Sequence, residues 1–363
     1  MIIYINGRFL GRRLTGVDRF ALEILRAIDA LLTHARPEVI NLEFVILVPP
    51  AAEVKESFTN MRIEYAGFGD GQVWEQLGIL PYLWKRQSLF ISLCNTGPVL
   101  YPKHLVVIHD AAVYRIPQTF SSKFRLWYKT LMPLLGLTSR HVITVSEFSK
   151  VDIAKFFRVP AKKISVISEG GEHIQAQQAD VGILEKFNLV AGQYVLAVSS
   201  QAPHKNFPLI RQALDHIKNQ KIDVAIAGGS NAKIFDSVQV EFSQRVKLLG
   251  YVSDAELRAL YENAMCFVFP SLYEGFGIPP LEAMYCSCPV FVSDAASIPE
   301  VCADAALYFS PTDALALARH IDEVAENPGL RATLAERGKV HASKFTWQQS
   351  ALSLLDVIEK TRR

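Results

Sequence analysis

Short apolar runs alternate with stretches of three- and four-residue hydrophobic spacing along most of the chain. Runs of four to eight apolar residues bounded by polar, Gly or Pro positions read as buried strands, and the spacing between them reads as amphipathic helix. In the first half, strands are expected at residues 2–5, 44–48, 89–92, 105–108, 141–145 and 164–167. Val17, Phe20, Ala21, Ile24, Leu25 and Ile28 mark a helix between the first two. A second series follows Gly170-Gly171, with strands expected at residues 194–198, 223–227, 246–249, 266–268, 289–292 and 307–309. The alternation predicts an α/β chain of two doubly wound, Rossmann-like halves of similar size.

The linker is expected between residues 169 and 193, where two glycines precede the polar run 175–180. This puts the first domain at residues 1–170 and the second at 171–345. Trp347, Ala351, Leu354, Leu355 and Ile358 form one stripe after the second sheet is complete, so a terminal helix over 346–363 is expected to return to the first domain. In open α/β sheets ligands bind beyond the carboxyl ends of strands, so function should lie on strand-to-helix loops and in a cleft between two such domains.

Composition narrows this picture. The chain has 363 residues, 50% hydrophobic and 20% charged, enough for two cores and too apolar for disorder. Its formal charge of +2 excludes a main role in neutralising a nucleic-acid backbone. The five cysteines are scattered in apolar segments and read as reduced thiols of a cytoplasmic protein. Cys286 and Cys288 lack a second Cys or His pair at metal spacing, so zinc is not expected. The first residues read as a strand and not a signal peptide, and no apolar run reaches the ~18–20 residues of a membrane span.

The most informative chemistry lies in residues 269–284, where Phe269-Pro-Ser-Leu-Tyr-Glu-Gly-Phe-Gly-Ile-Pro-Pro-Leu-Glu-Ala-Met runs from a buried strand into a helix. Prolines suit a first helical turn, and Glu282 just after them is expected to face the positive end of the dipole. Gly275 and Gly277 let backbone approach a ligand, and the N–H groups of Phe276, Gly277 and Ile278 can donate to sugar or phosphate oxygens. Glu274 and Glu282 can each accept two hydroxyl hydrogen bonds. The plainer alternative is a Gly-Pro loop with a helix-start charge and a solvated surface carboxylate.

Glu274 to Ala283 resembles the E-x7-E signature of retaining glycosyltransferases of the GT-B fold, family 4 in the usual sequence classification, with one conservative change at Ile278. Eight further segments fall in that family's order: Arg13-Leu-Thr-Gly-Val-Asp-Arg-Phe-Ala-Leu-Glu, Trp74-Glu-Gln-Leu, Asn95-Thr-Gly-Pro, Val107-Ile-His-Asp, Val145-Ser-Glu-Phe-Ser, His204-Lys-Asn, Gly250-Tyr-Val-Ser-Asp and Ile298-Pro-Glu-Val. The resemblance implies two Rossmann-like domains facing across a cleft. The first would bind acceptor and the second a nucleotide-sugar donor. It implies that Glu274 contacts the donor hexose, Glu282 the ribose, and the backbone at Gly275, Phe276, Gly277 and Ile278 the transferred sugar and diphosphate. Lys205 would neutralise the leaving diphosphate, a role for a cation in the absence of metal. On its own, Lys205 reads as a solvated helix-start residue.

The family often carries an arginine about five residues before that lysine, where this chain has Ser199 and Ser200. Arg13 or Arg19 is the expected substitute. Tyr251 and Val252 are expected against the base. His109, at the end of a buried strand, reads equally as a satisfied core residue or as a group beside the reacting sugar, and is not assigned as general base. Gly16 opens a helix whose N–H groups can approach the phosphates, and Thr15 before it reads equally as an ordinary N-cap. In the favoured scheme for such enzymes, the acceptor attacks on the face the diphosphate is leaving and a phosphate oxygen takes the proton.

The expected donor is GDP-mannose, with UDP- and dTDP-sugars such as rhamnose as alternatives. The resemblance implies a saccharide or lipid-linked saccharide acceptor in bacterial surface polysaccharide synthesis. The chain contains no Asp-x-Asp triplet, and activity is expected without divalent metal or other cofactor. Residues 123–135 mix basic, aromatic and aliphatic positions. They read as an amphipathic core helix broken at Pro133, or as a peripheral contact with the inner face of the membrane. A nucleotide-sugar epimerase and a non-catalytic sugar-nucleotide-binding partner are the rival readings.

Overall fold

Most strands are apolar on both faces, as parallel strands covered by helices on either side must be. The computed structural model describes residues 1–198, 202–229 and 245–362. The chain divides into two units, Met1–Glu169 with Trp347–Arg363, and Gly170–Thr346.

The first unit holds β1 (Ile2–Asn6), β2 (Glu43–Val48), β3 (Arg62–Tyr65), β4 (Leu89–Ser92), β5 (His104–Val107), β6 (His141–Thr144) and β7 (Ile164–Val166). They pair in the order β3-β2-β1-β4-β5-β6-β7, every pair parallel. The sequence reading lacks β3. Its Arg-Ile-Glu-Tyr run sits at the sheet edge, no residue of it is fully buried, and so it shows no apolar block to read.

The second unit holds β8 (Tyr194–Val198), β9 (Asp223–Ala227), β10 (Val246–Gly250), β11 (Cys266–Phe269), β12 (Val290–Ser293) and β13 (Leu307–Phe309). Their order is β10-β9-β8-β11-β12-β13, again all parallel. In each sheet the chain winds one way from a central strand and then the other, so the strand order reverses beside β1 in the first unit and β8 in the second. Ligands favour the carboxyl ends of strands at these points. Val195, Val224, Val268, Phe291 and Leu317 are among the buried residues that form the second unit's core.

Three details correct the sequence reading. Residues 170–193 are not a free linker. Asp180 N donates to Ala255 O at 3.0 Å, and Arg258 Nη1 donates to Gln175 O and Gln177 O, which ties the segment to the second unit. The helix Ser122–Thr138 runs through Pro133 without breaking, and Ser139 N still donates to Leu135 O. Leu131, Met132, Leu135 and Gly136 form its buried face, while Leu126 and Leu137 are exposed. The helix Trp347–Arg362 follows expectation, with its five-residue stripe buried in the first unit and Trp347 edge-on to Phe20. No described helix is long and apolar enough to cross a membrane.

Candidate active site

The switch point of the second unit lies between β8 and β11, and both of its loops carry residues singled out above. After β8 the chain makes a single turn over Pro203–Lys205 and enters the helix Phe207–Leu214 through Asn206, which adopts a left-handed conformation at φ 57°. Asn206 Nδ2 donates to Pro270 O at 3.2 Å and Pro311 O at 2.8 Å, and Leu272 N donates to His204 O at 2.7 Å. These bonds stitch the β8 loop to those after β11 and β13. They hold Lys205 Nζ 2.7 Å from Glu274 Oε1, with both side chains largely buried. Lys205 is therefore paired and not a solvated helix-start residue.

His204 is neutral. Burial pushes its pKa down to about 4, helped by Lys205 and opposed by Glu274, so it does not replace the absent arginine. Its Nδ1 is buried without a hydrogen-bond partner. Ser199 and Ser200 lie outside the described residues.

The loop after β11 is fixed from an unexpected side. Ser297, at the start of the helix Ile298–Cys302, donates its hydroxyl to Glu274 O at 3.0 Å and Phe276 O at 2.9 Å. Sequence reasoning singled out the following Ile298-Pro-Glu-Val and missed Ser297, because its hydroxyl acts on carbonyls that no pattern reveals. Gly277, at φ 115°, makes the turn into the helix Ile278–Tyr285 in a backbone conformation that residues with a Cβ rarely adopt. Pro279 and Pro280 carry no N–H, so Gly277 and Ile278 are the amides that this helix start has to offer.

Glu282 departs from expectation. It is the fifth residue of its helix, a full turn past the start, so it is not a first-turn charge on the dipole. It is 7% exposed, His173 Nε2 donates to Oε1 at 2.9 Å, and Tyr261 Oη donates to Oε2 at 3.0 Å. Burial and the Glu282 charge push the Tyr261 phenol well up, which keeps it a donor. A carboxylate has about four acceptor positions, so each oxygen retains one. The segment carrying His173 approaches closely because residue 171 is glycine: a Cβ there would lie 2.9 Å from Leu281 Cβ. His173 and Tyr261 were not found from the sequence, since each lies far along the chain from Glu282. Tyr251 is exposed after Gly250, and Val252 is half-buried beside it.

In the first unit, His109 follows β5 as expected, but its ring does not project from the strand end. It is 4% exposed, Nδ1 lies 3.2 Å from Glu169 Oε1, Nε2 lies 3.1 Å from Leu93 O, and Phe20 packs edge-on. Burial works against the charged ring, but the hydrogen bond and charge of Glu169 outweigh it and raise the pKa. With an acceptor at each nitrogen, the ring is an imidazolium.

Thr15 caps the helix Gly16–Thr33 with a complete capping box: its side chain accepts from Asp18 N and its own N–H donates to Asp18 Oδ2. Asp18, fully buried, bonds Arg12 Nη2 at 2.5 Å. Gly16 is exposed with open space where a Cβ would sit. Arg19 Nη1 is 3.5 Å from Glu23, and both Arg13 and Arg19 belong to this unit.

Comparison with known proteins agrees with this layout. Residues 185–341 match the family model described as glycosyl transferases group 1. The O-antigen chain mannosyltransferase B of Escherichia coli is 31% identical over 271 residues, which cover 69% of this chain and 70% of that protein. The O-antigen chain mannosyltransferase RfbU of Salmonella typhimurium is 29% identical over 330 residues, covering 85% and 87%. Among solved structures, sucrose-phosphate synthase from Thermosynechococcus elongatus superposes with a TM-score of 0.75 at 19% identity, over 99% of this chain and 98% of its own, which speaks for the GT-B fold. With that fold and that identity over most of both chains, the protein belongs to the group 1 glycosyl transferases.

Proposed function

We propose that the chain is a retaining hexosyltransferase that moves mannose from GDP-mannose to a saccharide or lipid-linked saccharide acceptor in bacterial surface polysaccharide synthesis. The observation that carries this reading is the Lys205–Glu274 ion pair at the β8–β11 switch point. Donor binding exchanges partners there: Lys205 turns to the diphosphate, and Glu274 is released to accept hydroxyls of the hexose. The lysine charge stabilises the leaving diphosphate without a divalent metal. Glu282 takes the ribose hydroxyls through the acceptor position left on each oxygen. The amides of Gly277 and Ile278, with the backbone at Gly275 and Phe276, bind the sugar and diphosphate. Tyr251 and Val252 lie against the base. His109, charged and fully bonded, positions the β5 strand end instead of touching the sugar through a nitrogen. The proton of the attacking hydroxyl goes to a phosphate oxygen on the same face.

The names of the two enterobacterial relatives support mannose as the sugar. The exposed Leu126, Trp127 and Leu137 of the helix Ser122–Thr138, with Lys123, Arg125 and Lys129, support a peripheral contact at the inner face of the membrane.

The test is a calorimetric panel of GDP-mannose, UDP-glucose and dTDP-rhamnose in EDTA, followed by NMR of the anomeric proton in the product formed with a mannose disaccharide. Saturable binding of GDP-mannose and an α product are expected. Binding of none of the three, or a β product, overturns the reading.

A further inference from the structure

The candidate donor site lies at the carboxyl ends of β8 and β11, and an open cavity of about 260 Å³ lies at the opposite end of the same sheet. Gln193, Ile222 and Met265 line it, and each stands immediately before a strand, β8, β9 and β11 respectively. The five residues of β8, about 15 Å of extended chain, separate it from the loop that carries Lys205. None of the donor-site residues named above is among its described lining.

Arg331 reaches this cavity from the start of the helix Pro328–Ala342. Its Nη2 donates to Ala264 O at 3.0 Å, and Nη1 lies against Gly192, where φ is 73° and a Cβ would stand 3.2 Å from it. Gly192 N in turn donates to Asn263 O at 2.8 Å, so the guanidinium and the backbone are fixed together where β8 and β11 begin. Among the described residues no carboxylate pairs with Arg331, and the bond to Ala264 O is the one its side chain makes. A guanidinium carries several more N–H donors than that bond uses.

A second cation lines the same cavity. Lys221 is exposed and sits on a turn closed by Asn219: Lys221 N donates to Asn219 Oδ1 at 3.0 Å, and Ile222 N donates to Asn219 O at 3.2 Å. Arg245, just before β10, holds that turn with Nη2 on Asn219 O at 3.3 Å and Nε on Ile222 O at 3.0 Å. The Lys221 ammonium pairs with no carboxylate among the described residues.

The described lining therefore holds two cations and no carboxylate, which selects an anion. A phosphate monoester carries about −1.5 to −2 charges at neutral pH and matches two cations. The carboxamides of Gln193 and Asn219 can bond hydroxyls, and Met265 and Val324 offer an apolar wall to the C–H face of a small ring. The volume lies just under the ~300 Å³ at which drug-sized pockets begin, so it suits a small molecule. A neutral sugar would leave the cations unanswered, and inorganic phosphate would leave the carboxamides unused. We propose that this cavity is a second ligand site, in which Arg331 and Lys221 bind the phosphate of a sugar monophosphate and Gln193 and Asn219 bind its hydroxyls. The site is separate from the donor site and stands however that site is read.

The test is calorimetric titration of the full chain with mannose 6-phosphate and ribose 5-phosphate, with inorganic phosphate and mannose as controls, each with and without saturating GDP. Wild type, Arg331→Gln, Lys221→Gln and Lys205→Ala are compared, with folding checked by melting temperature. Wild type should bind at least one of the two sugar phosphates saturably and more tightly than phosphate or mannose, and GDP should not displace it. Arg331→Gln should bind about tenfold more weakly, the scale of a lost hydrogen bond to a charged group, and Lys205→Ala should bind like wild type. No saturable binding of either sugar phosphate overturns the proposal. So does undiminished binding by Arg331→Gln, or an affinity for inorganic phosphate equal to that for the sugar phosphate. Displacement by GDP, or loss of binding in Lys205→Ala, would put the ligand in the donor site and equally overturn it. If Arg331→Gln fails to fold, Lys221→Gln, at an exposed position, decides, and undiminished binding by it counts against the site.

Discussion

At the residue scale, three carboxylates have different situations, and partners rather than sequence neighbours decide each. Glu274 is held by one lysine, Glu282 by a phenol and an imidazole, and Glu169 by the His109 imidazolium. Motif spacing made Glu274 and Glu282 readable. The spacing is silent on Glu169, His173 and Tyr261, because their contacts span 60, 109 and 21 residues of chain. His109 makes a prediction with a definite sign. Its pKa in the folded chain is raised above the ordinary 6.5, so its stabilisation is complete below 6.5 and is lost as pH rises through the raised value. The melting-temperature deficit of His109→Gln relative to wild type should therefore be largest in acid and shrink as pH rises. A deficit that grows with pH would contradict the imidazolium assignment. The comparison must be with the variant, because the buried His104, held down at about 3, gives wild type a trend of the opposite sign.

At the element scale, the loops of the second unit are set by a few side chains reaching across strand order. Asn206 joins the loops after β8, β11 and β13, and Ser297 holds two carbonyls of the loop that carries Glu274. Ser297→Ala leaves both carbonyls without that donor. It should cost about 1 kcal/mol in unfolding free energy and weaken donor affinity several-fold, measured by denaturant titration and calorimetry. Unchanged donor affinity would mean that the loop needs no such brace. The errors of sequence reading also belong to this scale. Strand β3 is an edge strand without an apolar block. The segment 170–193 looks polar because its contacts are backbone bonds. Pro133 is absorbed within a helix that continues to Thr138.

At the scale of the whole molecule, two parallel sheets each reverse strand order at one place, and the proposed donor site falls on that of the second unit. This much was legible in advance, because alternating buried strands and amphipathic helices leave few other architectures. The return of the terminal helix was legible too, from a stripe that had no partner left in the second half. The donor sugar was not, since side chains such as Glu274 recognise hydroxyls in general and loop backbone does the discriminating. The central claim is that Glu274 meets the transferred sugar once Lys205 has left it for the diphosphate. Its most direct test is the rate of GDP release from GDP-mannose in the presence of mannobiose, compared between wild type and Glu274→Ala at matched melting temperature. The account predicts a loss of about 10²–10³-fold in the variant, the scale of one removed transition-state contact, and a rate near that of wild type would contradict it.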